Sequence, residues 1–208
     1  MQKIMFDDRY GLTQAVIDGR KTVTRRSEHV SQWIEPWGEL GYSRVEIKGM
    51  RKVWLRNDQS NSLIVEHTRY ALGEVVAVAQ SYKDAGINPD YIVSSNKDGT
   101  PVTAIQSPGW TNKMFIRADL MPHQIRITGI QCEQLQEISN KDCLREGIQP
   151  MLTGCEYYLF SFIDSLIGCF CDYKTPREAF AALIDKVSGK GTWDRNPFVV
   201  VYEFEIVK

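Results

Sequence analysis

Apolar residues at the start of the chain predict a strand, a short helix and a second strand. Residues 3–6 have the composition of a short strand, and apolar side chains within residues 12–16 recur at the spacing of one helix face. Gly19 supplies a natural end for this helix, because glycine adopts the left-handed backbone conformation at little cost. The β-branched residues 22–24 then predict a strand whose successive side chains turn to opposite faces.

The middle of the chain predicts further strands separated by turns and by one long loop. Extended segments are indicated by β-branched residues and by alternation of apolar and polar positions. The predicted strands are 52–56, 62–67, 72–79, 113–117 and 124–130. The first two flank a turn-rich stretch, as the arms of a hairpin would. Residues 80–108 are polar and show little periodicity, so we expect a long surface loop or insertion there.

Two helices and a strand are predicted in the last third of the chain. Ser139 begins a capping-box pattern and Gly147 closes that helix, which leaves Glu146 at the C-terminal end. Residues 175–187 have stronger signals, with a Thr cap, a Pro in the first turn and apolar residues on one face. Residues 198–207 read as a closing strand. This order of elements favours the α+β class and a small mixed barrel over a doubly wound sheet.

Composition places the chain among globular, intracellular proteins. The 208 residues are 43% hydrophobic and 25% charged, with a formal net charge of -1, so one domain is expected. The N-terminus lacks a signal-peptide core, and the most apolar runs, 75–79 and 198–202, are too short to span a bilayer. We therefore expect a cytoplasmic location and no membrane partner. Five cysteines without a CxxC pair are expected to be reduced thiols, and no metal-ligand spacing or cofactor motif is present.

A basic segment stands out because the chain as a whole is nearly neutral. Four of the seven residues from Arg20 to Arg26 are cationic and none is acidic. Arginine can bind phosphate through two parallel hydrogen bonds, so Arg20, Arg25 and Arg26 are candidate RNA or phosphate ligands. The alternative is a solvated edge strand, in which Lys and Arg discourage aggregation.

The same segment resembles the signature of the ASCH family, which is related to PUA-like RNA-binding barrels. The family pattern of Gly, Lys, an acid or Thr, and Arg falls here on Gly19, Lys21, Thr24 and Arg26. Further segments resemble the family's strands and its helix after an Ile-Ser pair. These segments are 72–78, 125–148 and 193–206. The resemblance implies one ASCH domain over residues 1–208, with insertions at about 43–68 and 80–108.

From this resemblance we expect a PUA-like mixed β-barrel with short flanking helices, whose basic cleft recognises RNA or a modified nucleoside. A small bacterial branch of the family hydrolyses N4-acetylcytidine with a Lys, a Thr three residues later and a distant Glu. The matching positions here are Lys21, Thr24 and Glu146. Glu74 and Glu137 remain alternatives for the acid.

These residue types suit hydrolysis of an amide without a metal. A Thr hydroxyl becomes a useful nucleophile only when a neighbour takes its proton, and Lys21 could do so if its pKa were lowered by the adjacent arginines. Glu146 is a candidate proton shuttle, although a lone Glu is more often an exposed helix-end residue. On a regular strand Lys21 and Thr24 would face opposite sides. A shared pocket therefore requires Lys21 to lie in the turn after Gly19.

Three tryptophans in loop-like sequence are candidates for base stacking. A ring of Trp33, Trp37 or Trp110 stacked on a base would contribute about 1–3 kcal/mol. Core packing is the alternative for each of them. The sequence therefore leaves three readings open: an N4-acetylcytidine-type amidohydrolase, a non-catalytic RNA-binding module, and a protein-interaction domain on the same barrel.

Overall fold

The computed structural model describes residues 1–27, 42–48, 52–57, 62–89, 92–105, 107–152 and 158–207. These residues form a mixed α+β structure, as the sequence predicts. The backbone contacts divide the chain into two compact units. The smaller unit contains Met1–Phe6 and Val75–Ile125 with the C-terminal end, and the larger unit contains Asp7–Glu74 and Arg126–Ile206.

Short strands predominate over helices in the described residues. The α-helices are α1 Leu12–Ile17, α2 Asn140–Arg145, α3 Pro176–Ser188 and α4 Thr192–Arg195. Short 3-10 helices cover Asp8–Tyr10, Lys113–Phe115, Ala118–Leu120 and Leu135–Glu137. The strands are β1 Lys3–Ile4, β2 Val23–Arg26, β3 Tyr42–Lys48, β4 Lys52–Asn57, β5 Ser62–His67, β6 Val75–Val78, β7 Ile92–Ser95, β8 Pro101–Ile105, β9 Gln124–Gln134, β10 Gln149–Leu152, β11 Tyr158–Asp164, β12 Cys169–Tyr173 and β13 Phe198–Ile206.

The larger unit contains three groups of hydrogen-bonded strands. The strands β9, β13 and β2 are hydrogen-bonded neighbours in that order, and β2 runs antiparallel to β13. Separate three-stranded sheets are formed by β3, β4 and β5 and by β10, β11 and β12. Both faces of β13 are covered, because Val199 to Tyr202 are all at least 97% buried. Among the strands that the structure describes, no sheet closes into a barrel.

The smaller unit contains its own hydrophobic core. The strands β1 and β6 pair in parallel, and β7 and β8 form an antiparallel hairpin. The buried residues of this core are Ala77, Ala79, Tyr82, Ile116 and Met121. Removing such apolar surface from water provides most of the drive for folding.

Most of the elements predicted in the larger unit are confirmed. The helix after residue 12, the hairpin arms 52–56 and 62–67, both C-terminal helices and the closing strand all appear, with ends that differ by a few residues. Helix α3 begins with a complete capping box, in which the side chains of Thr175 and Glu178 each satisfy the other's backbone N–H. The strands β3, β10, β11 and β12 and the helix α4 were not predicted.

Of two predictions in the smaller unit, one is wrong in part and the other is wrong. Residues 80–108 are not a loop throughout, because β7 and β8 lie inside them, and the turn between these strands is closed by a 2.9 Å hydrogen bond from Asn96 N to the Thr100 carbonyl. That these residues are an insertion stays a prediction. Residues 113–117 are not a strand. The Asn112 side chain accepts a hydrogen bond from Met114 N at 3.0 Å and so caps a 3-10 helix instead.

No helix within the described parts of the chain is both long enough and apolar enough to cross a membrane.

Candidate functional site

Lys21 lies in the turn between α1 and β2. This position is the one that Lys21 needs if it is to share a pocket with Thr24. Gly19 adopts the left-handed conformation with a φ of 73°, which ends the helix and redirects the chain. The Lys21 backbone N–H then donates to the Ala15 carbonyl at 2.8 Å, and Thr22 N–H donates to the Arg145 carbonyl at 2.9 Å. These bonds fasten the segment to α1 and α2 and leave only 2% of Lys21 exposed.

Glu146 occupies the C-terminal end of α2, and its side chain is buried rather than solvated. Its N–H donates to the Asp142 carbonyl at 2.8 Å, so the carboxylate leaves the helix at a fixed position. The residue is 4% exposed. The Lys21 Nζ donates to the Glu146 backbone carbonyl at 2.8 Å and also to carboxylate oxygen Oε2. Residues 125 positions apart thus form a buried ion pair.

Arg25 lies on the other side of the same carboxylate. Its Nη1 donates to Glu146 Oε1 at 3.2 Å, and its Nε donates to Glu133 Oε1 at 2.8 Å. Its Nη2 lies 2.7 Å from the same Glu133 oxygen, within ion-pair distance. Asp142 Oδ2 lies 3.8 Å from Nη2.

The electrostatic environment makes Lys21 unusual among lysines. Burial lowers the pKa of the Lys21 ammonium below its ordinary value of 10.5, because a charge removed from water is disfavoured. The Glu146 carboxylate opposes this shift through its charge and its hydrogen bond, and the positive charges of Arg26 and Arg25 add to it. A lysine with a lowered pKa and a carboxylate in contact is chemically able to exchange a proton.

Thr24 lies on β2 and is 94% buried. It is paired with Tyr202 of β13, and strand alternation places its side chain on the opposite face from Arg25. Within the part of the chain that the structure describes, its hydroxyl forms no hydrogen bond, and none joins it to Lys21 or Glu146. Lys21 precedes β2, so strand alternation does not fix its side relative to Thr24. The structure therefore brings together Lys21 and Glu146, and the role of Thr24 stays a prediction.

The basic segment does not form one open cationic patch. Arg20 is exposed and pairs with Asp18, with its Nη2 2.8 Å from Oδ2. Arg26 is half-buried at the end of β2. Arg25 is enclosed, and carboxylates already neutralise its charge, which argues against phosphate binding by this residue. Phosphate binding by Arg20 and Arg26 stays a prediction.

The two alternative acids, Glu74 and Glu137, accept hydrogen bonds from backbone N–H groups of neighbouring residues. Glu74 Oε2 accepts a hydrogen bond from Ala71 N–H at 2.8 Å, and Glu137 Oε2 accepts one from Gln134 N–H at 2.9 Å. Among the described residues, neither acid contacts Lys21. Glu146 is therefore the acid that the geometry favours.

The tryptophans give no support for base stacking. Trp33 and Trp37 lie outside the described residues. Trp110 is half-buried and packs against the hydrophobic core of the smaller unit, which favours the packing role. Among the described residues, no group of three His, Cys, Asp or Glu side chains is placed to hold a metal ion.

Sequence reasoning missed Glu133 and the structural role of Arg25. Glu133 lies on β9, and nothing in the local pattern around it distinguishes it from other acidic strand residues. The sequence suggests that Arg25 is a phosphate ligand, because only the fold shows that acidic side chains surround it.

Comparison with family models, with curated proteins and with solved structures finds no match to this chain.

Proposed function

We propose that the chain recognises a modified nucleoside, free or within RNA, and hydrolyses the amide that joins an acyl group to N4 of cytosine. The observation that carries this proposal is the buried contact between Lys21 and Glu146. The ASCH resemblance implies a catalytic pair at these two positions, which lie far apart in sequence. A buried ion pair is costly to assemble for stability alone, since desolvation offsets much of its attraction.

Each residue has a definite role in the proposed reaction. The Thr24 hydroxyl attacks the acyl carbonyl carbon, and the neutral Lys21 amine takes the hydroxyl proton. The bond from carbon to N4 breaks as the proton taken up by Lys21 is passed on to N4, which leaves cytidine, an acyl ester on Thr24 and a neutral Lys21. Water then hydrolyses this ester, releases the carboxylic acid and restores the hydroxyl.

Glu146 supports this chemistry by handling the proton of Lys21. Lys21 accepts a proton only in its neutral form, which burial favours. The Glu146 carboxylate is in hydrogen-bond contact with Lys21 Nζ and can receive the ammonium proton directly. No metal or cofactor takes part in this scheme.

A PUA-like barrel, which is a more specific fold than the α+β class, is part of the same proposal. The α+β class is observed, and a PUA-like barrel rests on the resemblance of residues 19–26 and of the later segments to the ASCH family. The ligand would then occupy a cleft beside the turn that carries Lys21.

The direct test is release of acetate from N4-acetylcytidine by the purified protein without added metal. Lys21→Met and Glu146→Gln should each lower kcat by about 100- to 10,000-fold, the range that general acid–base groups contribute. Thr24→Val removes the nucleophile and should lower kcat at least as much. Thr22→Val is the matched control, because Thr22 lies in the same segment and its hydroxyl accepts a hydrogen bond from Arg145 Nε at 3.2 Å. It should keep nearly full turnover. Glu74→Gln and Glu137→Gln should also remain active.

If the protein shows no hydrolysis, RNA binding distinguishes the two remaining hypotheses, a binding module and an interaction domain. If the wild-type protein hydrolyses none of several N4-acylated cytosines but binds RNA, the enzyme proposal is wrong and the chain is a binding module. In that case Arg20→Ala and Arg26→Ala should each weaken RNA binding and reduce its salt dependence. A protein that neither hydrolyses these compounds nor binds RNA would be an interaction domain.

A further inference from the structure

Arg25 is unusual because a full positive charge is almost completely enclosed. Its side chain is 1% exposed, and its partners come from β9 and from both ends of α2. An arginine guanidinium is planar and carries its positive charge over a rigid fork of N–H donors. The residue is therefore a fixed cation held within the larger unit.

The two oxygens of the Glu146 carboxylate are held by two different cations. Lys21 Nζ donates to Oε2, and Arg25 Nη1 donates to Oε1 at 3.2 Å. A carboxylate with a directed donor on each oxygen has little freedom to rotate. Lys21 alone could not fix this orientation, because an ammonium on a flexible chain acts as a point charge.

Arg25 is itself held in place from the side away from Glu146. Its Nε donates to Glu133 Oε1 at 2.8 Å, which uses a different edge of the planar group from Nη1. The 18% exposed Glu133 side chain thus anchors a guanidinium that is otherwise enclosed. The contacts run from Glu133 through Arg25 to Glu146 and end at Lys21.

We propose that Arg25 is a positioning residue that holds the Glu146 carboxylate against Lys21, with Glu133 as its anchor. This deepens the proposed function and rests on it for its catalytic consequence. Arg25 does not touch the substrate. It keeps Glu146 where the carboxylate can receive the Lys21 proton.

The test measures the titration of Lys21 by NMR of the side-chain amine, with Lys21→Arg used to assign the signal. Arg25→Met removes the cation, and Arg25→Met combined with Glu133→Gln avoids leaving Glu133 without a counter-charge. Arg126→Met is the control, because Arg126 lies on β9, as Glu133 does, but forms an exposed ion pair with Glu205. Among the described residues, the charged groups that shift the Lys21 pKa include Glu146, Arg26 and Arg25.

The two possible roles of Arg25 predict opposite changes in the Lys21 pKa. If Arg25 acts only as a nearby charge, its removal takes away a repulsion and the Lys21 pKa rises. If Arg25 positions Glu146, the carboxylate swings away, Lys21 loses the larger stabilisation of its charged form, and its pKa falls. We expect the pKa to fall in both Arg25 variants and to stay unchanged in Arg126→Met. A rise or no change in the double variant would overturn the proposal.

Activity provides a second measurement that a purely structural role would not reproduce. Arg25→Met/Glu133→Gln should lower kcat on N4-acetylcytidine by up to about 100-fold with KM unchanged, as expected for a displaced catalytic group. Arg25→Lys should recover part of this loss, because one donor remains. A rise in KM without a fall in kcat would contradict the positioning role. If the wild-type protein proves inactive on this substrate, the Lys21 titration still decides the role of Arg25, because it needs no substrate.

Discussion

Lys21 donates hydrogen bonds to both the backbone carbonyl and the carboxylate of Glu146, the carbonyl at 2.8 Å. The two residues are at least 95% buried. Lys21 lies in the turn after α1 and Glu146 lies at the end of α2, so their contact joins this turn to the end of α2. Breaking this contact should therefore affect the stability of the larger unit as well as any chemistry at the site.

The first prediction concerns the free energy of unfolding when the carboxylate loses its charge. Glu146→Gln leaves the buried Lys21 ammonium without a counter-ion, and breaking one partner of a buried pair costs about 3–5 kcal/mol. Urea unfolding followed by circular dichroism at pH 7 measures this loss. Glu205→Gln is the control, because the Glu205 pair with Arg126 is exposed and should contribute at most about 1 kcal/mol. Equal effects of the two substitutions would contradict the buried pair.

The second prediction concerns how stability changes with pH. Because burial lowers the pKa of Lys21, the folded protein loses the Lys21 proton at a lower pH than the unfolded chain, whose value is about 10.5. Between these two values the unfolded chain binds more protons, so the contribution of Lys21 to stability rises with pH. At pH values below the pKa that Lys21 has in the folded protein, Lys21 is charged in both states, so the full cost of burying its ammonium remains.

This contribution is measured as the difference between the wild-type protein and Lys21→Met. Urea unfolding of both proteins over a series of pH values up to 10.5 should give a difference that moves in favour of the wild type as pH rises. Other titrating groups, including the cysteine thiols, are present in both proteins and largely cancel. A difference that is flat or that falls would mean that the Lys21 pKa is not lowered.

Local sequence signals predicted the elements that carry the site, and their success has a physical basis. The capping residues Ser139 and Thr175 and the left-handed Gly19 act within a few residues of their positions in the chain. For that reason the ends of α1, α2 and α3 could be read from the sequence. The pairing of Lys21 with Glu146 could not, and it came instead from the ASCH resemblance.

Features that depend on distant contacts were missed. Arg25 looked like a surface phosphate ligand, because nothing near it in sequence shows that Glu133 and Glu146 surround it. Residues 113–117 suggested a strand from their composition, but the Asn112 cap determined a 3-10 helix. The hairpin of β7 and β8 did carry a signal, since β-branched residues flank the Gly99 turn with its φ of 84°.

The third prediction compares two glycines that flank α1. Gly11 and Gly19 have similar left-handed φ values of 64° and 73°, so an alanine is strained at both, by about 1–2 kcal/mol. At Gly11 an added Cβ would lie 2.7 Å from Ile163 Cγ2, whereas at Gly19 it would meet nothing within 4 Å. Gly11→Ala should therefore lower the free energy of unfolding by about 1–3 kcal/mol more than Gly19→Ala. Similar losses in urea unfolding would contradict the close approach of Gly11 to β11.

The fourth prediction concerns the reactivity of the half-buried thiol of Cys132 and the buried thiol of Cys143. Burial raises the pKa of Cys132 to about 12 and that of Cys143 to about 11, and the Arg25 charge partly opposes the shift at Cys143. Since only the thiolate reacts with disulfide reagents, both should react slowly with such a reagent at pH 8 in the folded protein. In denaturant all five cysteines should react as free thiols.

Single substitutions assign these slow thiols. Cys132→Ala and Cys143→Ala should each remove one equivalent from the total measured in denaturant and leave the fast native phase unchanged. If either substitution removes an equivalent from the fast phase, that thiol is accessible and its raised pKa is wrong. Cys143 is the more informative of the two, because it lies in α2 between Asp142 and Glu146. Arg25→Met removes the charge that favours its thiolate, so Cys143 should then react more slowly still.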